Sequence, residues 1–261
     1  MYNKYMNYIY LDAQKLTEQI GDKVVVLDMV TSTNDYLEQA YESGRNLALV
    51  TAEGQSQGKG RVDGRVFFSP KYTGIYMSML VDLDCPLEDS VLLTPAVAVA
   101  TCNAIQQVTG TSPSIKWIND LYLSGKKVAG ILCKALQVKD NKLQKLLVGI
   151  GINVNRPTCA IPAEIEQKIT FLSNDEEIDR NTLIAEIYTQ VKDLLTHMDK
   201  QSMLSQYRSN NFLIGKSVGF WLDGTYHQAV AVSIDDQARL VVQSKDKIFK
   251  LDSGEVSLTN F

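Results

Sequence analysis

Thr51-Ala52-Glu53-Gly54-Gln55-Ser56-Gln57-Gly58-Lys59-Gly60-Arg61-Val62-Asp63-Gly64-Arg65-Val66-Phe67-Phe68-Ser69-Pro70 is the stretch around which the chain is organised. Glycines 58, 60 and 64 are interleaved with the cations Lys59, Arg61 and Arg65. Glycine lets a backbone pass close to a ligand, and arginine grips phosphate or carboxylate oxygens through paired hydrogen bonds. No helical or strand period runs through the segment before Phe67, so it reads as a mobile loop between two strands. A solvated basic loop or a nucleic-acid patch would have the same composition. The loop alone does not separate these readings.

The whole chain narrows the field. Its 261 residues, 45% of them hydrophobic, suffice to bury a full core. A net charge of −4 argues against a general nucleic-acid binder, because phosphate neutralisation needs a basic face. No apolar run approaches the ~20 residues of a membrane span, and Met1 to Tyr10 lacks the apolar core of a signal peptide. A cytoplasmic protein without a membrane partner is expected. Cysteines 85, 102, 133 and 159 have no C-x-x-C spacing, so neither a metal site nor a redox pair is expected. His197 and His227 lie far from the other motifs, and a histidine base is unsupported.

Working outward, Lys23–Met29 reads as a buried strand. It leads to Thr31-Ser32-Thr33-Asn34, where Ser32 or Thr33 can cap a helix reaching Ser43, with Gly44 just beyond it. Residues 46–53 form a second strand, and 74–81 alternate like a third. Residues 88–109 are apolar and alanine-rich and predict a buried helix that Pro95 either starts or kinks. Lys116, Asn119, Asp120 and Lys127 then cluster around one turn, more polarity than a hairpin needs. A strand follows over 142–155 and ends in Gly149-Ile150-Gly151-Ile152-Asn153-Val154-Asn155. Asn181 is expected to cap a helix with apolar residues at helical spacing, and a shorter helix covers 202–210. From Gly215 the pattern changes to short strands with tight turns, Asp223-Gly224 among them, as in a small SH3-like β-barrel.

Several of these motifs, in this order, resemble biotin protein ligases. That family shows Gly-Arg-Gly-Arg-Arg-Gly-Arg before a tryptophan and Ser-Pro. Here Lys59 replaces an arginine, Val62-Asp63 lengthens the run, and Phe67 stands where tryptophan is usual. The family's strand followed by Asp/Glu-x-x-x-Ser-Thr-Asn is matched at Asp28 to Asn34. Lys116-Trp117-Ile118-Asn119-Asp120, then Lys127-Val128-Ala129-Gly130-Ile131-Leu132, resembles its Lys-Trp-Pro-Asn-Asp and Lys-x-Ala-Gly-Ile-Leu. Gly149 to Asn155 and the final Gly254-Glu255-Val256-Ser257-Leu258 are also similar. The resemblance implies an α+β fold: a mixed or antiparallel sheet with helices, like the catalytic domain of class II aminoacyl-tRNA synthetases (1–212), plus the SH3-like barrel (213–261).

It also implies a reaction and a site. ATP would convert biotin to biotinyl-5′-AMP, and a lysine of a biotin carboxyl carrier domain of an acyl-CoA carboxylase would then accept biotin. Lys127, Arg61 and Arg65 would be catalytic, fixing positive charge at the carboxylate and α-phosphate. Ser32, Thr33, Asn34, Gln55, Gly58 and Lys59 would bind biotin, together with Lys127, Gly130, Gly149 and Gly151. Arg61, Arg65, Phe67, Lys116, Asn119 and Asp120 would meet the adenylate, as would Ile152 and Asn153, with Asp120 alternatively contacting the acceptor lysine or supporting Lys116. Mg²⁺ would arrive with ATP. A lipoate or octanoyl ligase of related fold is the alternative, but its Arg-Arg-x-Ser-Gly-Gly-Gly loop is missing. A DNA-binding biotin repressor would need more than the ~23 residues preceding the first core strand, so no DNA partner is expected. A catalytically dead binding module would leave charged motif positions empty, and here they are filled. A monomer or weak homodimer is expected.

Overall fold

The structure is a computed structural model, and it describes residues 9–61, 64, 66–174, 176–245 and 247–259. Helix α1 (Ala13–Ile20) precedes strand β1 (Val24–Leu27), helix α2 (Thr33–Glu42) and strand β2 (Leu49–Ala52). Across the glycine-rich segment, β3 (Gly58–Lys59) pairs with β4 (Val66–Phe67). Then come β5 (Gly74–Pro86), α3 (Leu93–Thr109), β6 (Ser114–Lys116), β7 (Asp120–Leu123), β8 (Lys126–Lys139) and β9 (Lys142–Asn153). Helices α4 (Ala163–Glu166), α5 (Arg180–Thr196) and α6 (Lys200–Asn210) lead into β10 (Ser217–Leu222), β11 (Thr225–Ile234), β12 (Leu240–Ser244), β13 (Lys247–Leu251) and β14 (Val256–Leu258).

The main sheet has the strand order β1-β2-β5-β9-β8-β7-β6, with β1 parallel to β2 and the remaining pairs antiparallel. It is the expected mixed sheet. Alternation along β5 sends Ile75, Met77, Met79 and Val81 into the large core that also holds α3 and α5, because strand side chains alternate faces. On the opposite face, Val50 and Leu147 pack against Leu37 of α2. Helix α3 is buried almost all round, which matches its uniformly apolar composition. Pro95 sits in its first turn, where a missing N–H costs nothing, so it starts the helix rather than kinking it. With the preceding 3-10 turn, Leu87–Thr109 is long and apolar enough to cross a membrane by length and composition, a run the sequence reading did not anticipate. It is mostly buried inside the protein instead.

One local expectation changes. Asp179, not Asn181, caps α5, accepting from the Asn181 and Thr182 N–H groups. Asn181 is buried and ties the chain start down, its Oδ1 accepting from Asp12 N at 2.8 Å while its Nδ2 donates to Tyr10 O at 3.0 Å. Strand β8 runs well past the Lys127–Leu132 motif to Lys139, and Asp140 and Asn141, both with positive φ, turn it into β9. Two such residues make the tight hairpin turn that suits strand twist.

The C-terminal strands form a five-stranded antiparallel sheet in the order β13-β12-β11-β10-β14. It is consistent with an SH3-like unit but is not the closed barrel expected. β14 has only three residues and pairs with β10. This sheet is docked on the larger one: Trp117 Nε1 donates to Ala238 O at 2.9 Å, and Arg208 Nε donates to Ile234 O at 2.7 Å. One hydrophobic core runs from Leu11 through Leu213 to Val256.

At the foot of the glycine-rich segment, Glu53 and Arg180 form a buried ion pair at 2.7 Å, with side chains only 6% and 3% exposed. A buried pair is tolerable only when its remaining hydrogen-bonding groups are met. Here Glu53 Oε1 accepts from Leu11 N, while Arg180 also donates to Gly74 O and Ile9 O.

Candidate active site

The first wall of the site is the start of α2. Ser32 caps the helix through a 3.4 Å bond from Asp35 N, which leaves Thr33 and Asn34 facing a narrow slot of about 50 Å³. Gln55 closes the end of this wall. Its Oε1 accepts from Thr33 N at 2.8 Å and from Thr33 Oγ1 at 3.1 Å, while its Nε2 donates to Ser69 Oγ at 3.2 Å. The Gly149-x-Gly151 spacing then acquires a steric reason. A Cβ on Gly149 would lie 2.2 Å from Asn34 Oδ1, and one on Gly151 would lie 2.8 Å from Phe67 Cε1. Both strand positions must stay bare for the slot to form.

The second wall is the glycine-rich segment folded over the sheet. Lys59 Nζ meets Asp35 Oδ1 at 2.6 Å, and Arg61 Nη2 donates to Gly254 O at 2.6 Å. The segment therefore touches both α2 and the C-terminal unit. The third wall is the polar turn before β7. Asn119 is buried and donates from Nδ2 to Ile131 O at 2.8 Å. Lys127 Nζ pairs with Asp120 Oδ1 at 2.6 Å, both side chains roughly three-quarters covered. This is a partner for Asp120 that the sequence reading did not assign. Burial, reinforced by the Asp120 and Glu255 carboxylates, pushes the Tyr122 phenol up to about 12, so it stays neutral.

The slot opens into a second recess through shared walls at Arg61, Phe67, Asn119 and Lys127. That recess adds Lys116, Asp120 and, from the C-terminal unit, Gly254, Glu255 and Val256. A third recess of about 460 Å³ continues past Lys116, Asp120 and Lys127 to Asn153, Ile165, Lys168 and Ile169. Lys127 alone among the cations of the described residues borders all three.

Most expected positions converge here. Thr33, Asn34, Gln55, Lys59, Lys127, Gly130, Gly149 and Gly151 line the slot, and Arg61, Phe67, Lys116, Asn119, Asp120 and Asn153 line one or more recesses. Three do not. Ser32 is occupied as the helix cap. Gly58 packs beneath Gln55 and Ser69, whose atoms stand 2.7 and 2.8 Å from its missing Cβ. Ile152 is fully buried in the core on the other face of β9, since it alternates with Gly149 and Gly151 in the wrong phase. Arg65 lies outside the described residues. The sequence reading missed Lys168, and it gave Glu255 no place at the site although Glu255 lies in the Gly254–Leu258 motif; both come from loops distant in sequence. It also missed Met77, Ile131 and Ile150, which looked like ordinary core. Among the described residues no group of three or more His, Cys, Asp or Glu side chains is placed to hold a metal ion.

Residues 26–153 match the model of the biotin/lipoate A/B protein ligase family. The bifunctional ligase/repressor BirA of Bacillus spizizenii is 33% identical over 253 residues, covering 93% of this chain and 76% of that protein. The chain belongs to the biotin/lipoate A/B protein ligase family. A second relative, the biotin–[acetyl-CoA-carboxylase] ligase of Mycobacterium tuberculosis, is 26% identical over 263 residues, with 94% of this chain and 95% of that one covered. Among solved structures, the Aquifex aeolicus biotin protein ligase in complex with biotin and ATP superposes with a TM-score of 0.74 at 26% identity, covering 91% of this chain and 99% of that one. The family's fold thus extends over the C-terminal sheet as well as the ligase core.

Proposed function

We infer that this chain is a biotin protein ligase, converting biotin and ATP to biotinyl-5′-AMP and passing biotin to a lysine of a biotin carboxyl carrier domain. The observation that carries the reading is the position of Lys127 where a narrow polar slot meets a cation-lined recess. A carboxylate is a poor electrophile, and its attack on a phosphate brings anionic oxygens together. Fixed positive charge at that point is the largest help a protein can supply. The slot takes the ring end of biotin against Thr33, Asn34 and Gln55, directing the carboxylate towards Lys127. Asp120 holds the ammonium in place at 2.6 Å, and Lys127 acts as a cation without proton transfer. Arg61 and Lys116 face the recess for the nucleotide, and Arg65 joins them in this reading by its place in the glycine-rich loop. Mg²⁺ enters with ATP, keeping most of its waters. The acceptor is a protein, without a role for DNA or membrane, and the enzyme works in the cytoplasm as a monomer or weak homodimer.

Exchange of labelled pyrophosphate into ATP tests the chemistry directly. Exchange should require biotin and should not respond to lipoate. A folded protein that exchanges without biotin, or with lipoate equally well, would refute the assignment.

A further inference from the structure

Ser78 is a polar residue in the middle of an apolar strand, flanked by Met77 and Met79 and fully buried. On β5 it stands between Val50 of β2 and Gly149 of β9, one layer behind the slot wall. A buried hydroxyl is costly unless it is hydrogen-bonded. This one lies 2.5 Å from Asn34 Oδ1 and 2.8 Å from Thr33 Oγ1, and both of those residues line the slot. A serine carries one proton, and an amide oxygen can only accept. The shorter contact therefore takes the Ser78 proton. The longer one is supplied by the Thr33 hydroxyl or shared with its bond to Gln55 Oε1. With Asn34 Oδ1 turned back to Ser78, the amide's other end, Nδ2, makes no hydrogen bond among the described residues. Gly149 supplies the room for this pose, because any Cβ there would collide with the Asn34 amide.

We propose that Ser78 is a positioning residue for ring recognition: by donating to Asn34 Oδ1 it holds the Asn34 NH₂ edge toward the slot, ready for the urea carbonyl of biotin. The inference rests on the reading of the slot as the biotin-ring site. Without Ser78 the Asn34 amide can rotate and offer an oxygen to that carbonyl, which repels it. The residue touches no reacting atom, so its loss should weaken biotin binding and leave the chemical step largely alone.

The test is a double-mutant cycle on the full chain, with biotin and desthiobiotin affinities measured by calorimetry for wild type, S78A, N34A and the double variant. Desthiobiotin keeps the urea carbonyl and lacks the ring sulfur. S78A should weaken both ligands about tenfold, the scale of one lost hydrogen bond. In the N34A background the same change should cost less than twofold, because the group through which Ser78 acts is gone. The biotin KM for pyrophosphate exchange should rise in S78A while kcat stays within threefold. Full additivity, or wild-type affinity in S78A, would overturn the inference while leaving the ligase assignment standing. Failure of the wild-type protein to bind biotin would overturn both.

Discussion

In the proposed reaction Lys127 is the residue on which the chemistry turns, and its setting makes separate tests possible. Removing one preorganised donor to a developing anion typically costs ~10²–10³ in rate, so Lys127→Ala should cut adenylate formation by about that factor. Lys127→Arg should recover little, since a planar fork does not replace a point charge. Single-turnover formation of labelled biotinyl-adenylate measures both, and an alanine variant with wild-type rates would remove Lys127 from the site. Gly149→Ala probes the opposite wall by shape alone. Its Cβ would fall 2.2 Å from the Asn34 amide, so biotin binding should drop by at least ~10² through displacement of Asn34, a cost of the overpacking kind. Equilibrium dialysis with labelled biotin reads this out, and unchanged affinity would mean that Asn34 does not line the ring site.

Among the elements, α5 offers a pH-dependent test. Burial raises the Asp179 carboxyl, but bonds from Lys15 and Thr182 outweigh it and leave its pKa below the ordinary value of 3.8. A carboxyl depressed in the folded state stabilises above its unfolded pKa, and that contribution fades as pH falls through the folded value. Asp179→Asn keeps a capping oxygen and loses the half-exposed Lys15 pair, so at pH 7 it should cost under about 1 kcal/mol, while flattening the decline of stability below about pH 4. Asp179→Ala also loses the cap, about 1 kcal/mol more. Urea denaturation from pH 3 to 7 measures each, and an unchanged acid limb in the asparagine variant would contradict the assignment. The same helix marks where sequence reading stops. Asp179 and Asn181 are equally good caps by residue type, and only tertiary contacts with Tyr10 and Asp12 decide between them. Helices α2 and α3 and strand β5 were legible because their apolar periods are long and local. The far half of β8 was not, because Lys134, Gln137 and Lys139 face solvent without alternation.

At the scale of the whole molecule, the converging motifs were legible because each glycine and cation sits in a recognisable string. Lys168 was not, because the fold alone brings it in, and Glu255 was legible as part of a motif but not as part of the site, since that too depends on how the C-terminal unit docks. The open C-terminal sheet is likewise invisible in strand patterning, since closure depends on whether the edge strands meet. Its continuous core with the ligase sheet implies a single cooperative unfolding transition, with equal calorimetric and van't Hoff enthalpies. Ending the chain before Leu213 should therefore lower the melting temperature sharply, and two resolved transitions in the intact protein would show the units melting apart. The bond from Arg61 to the carbonyl of Gly254, 193 residues away, has a consequence for genetics. Its acceptor belongs to the main chain, so every residue type at position 254 that tolerates the local turn carries the same oxygen. An alanine scan of the C-terminal unit would register this link only at Gly254 itself, whose φ of 102° strains any residue with a Cβ. Heredity can therefore edit it from the arginine side or through that one backbone conformation, while the neighbouring side chains are free to drift and the connection persists.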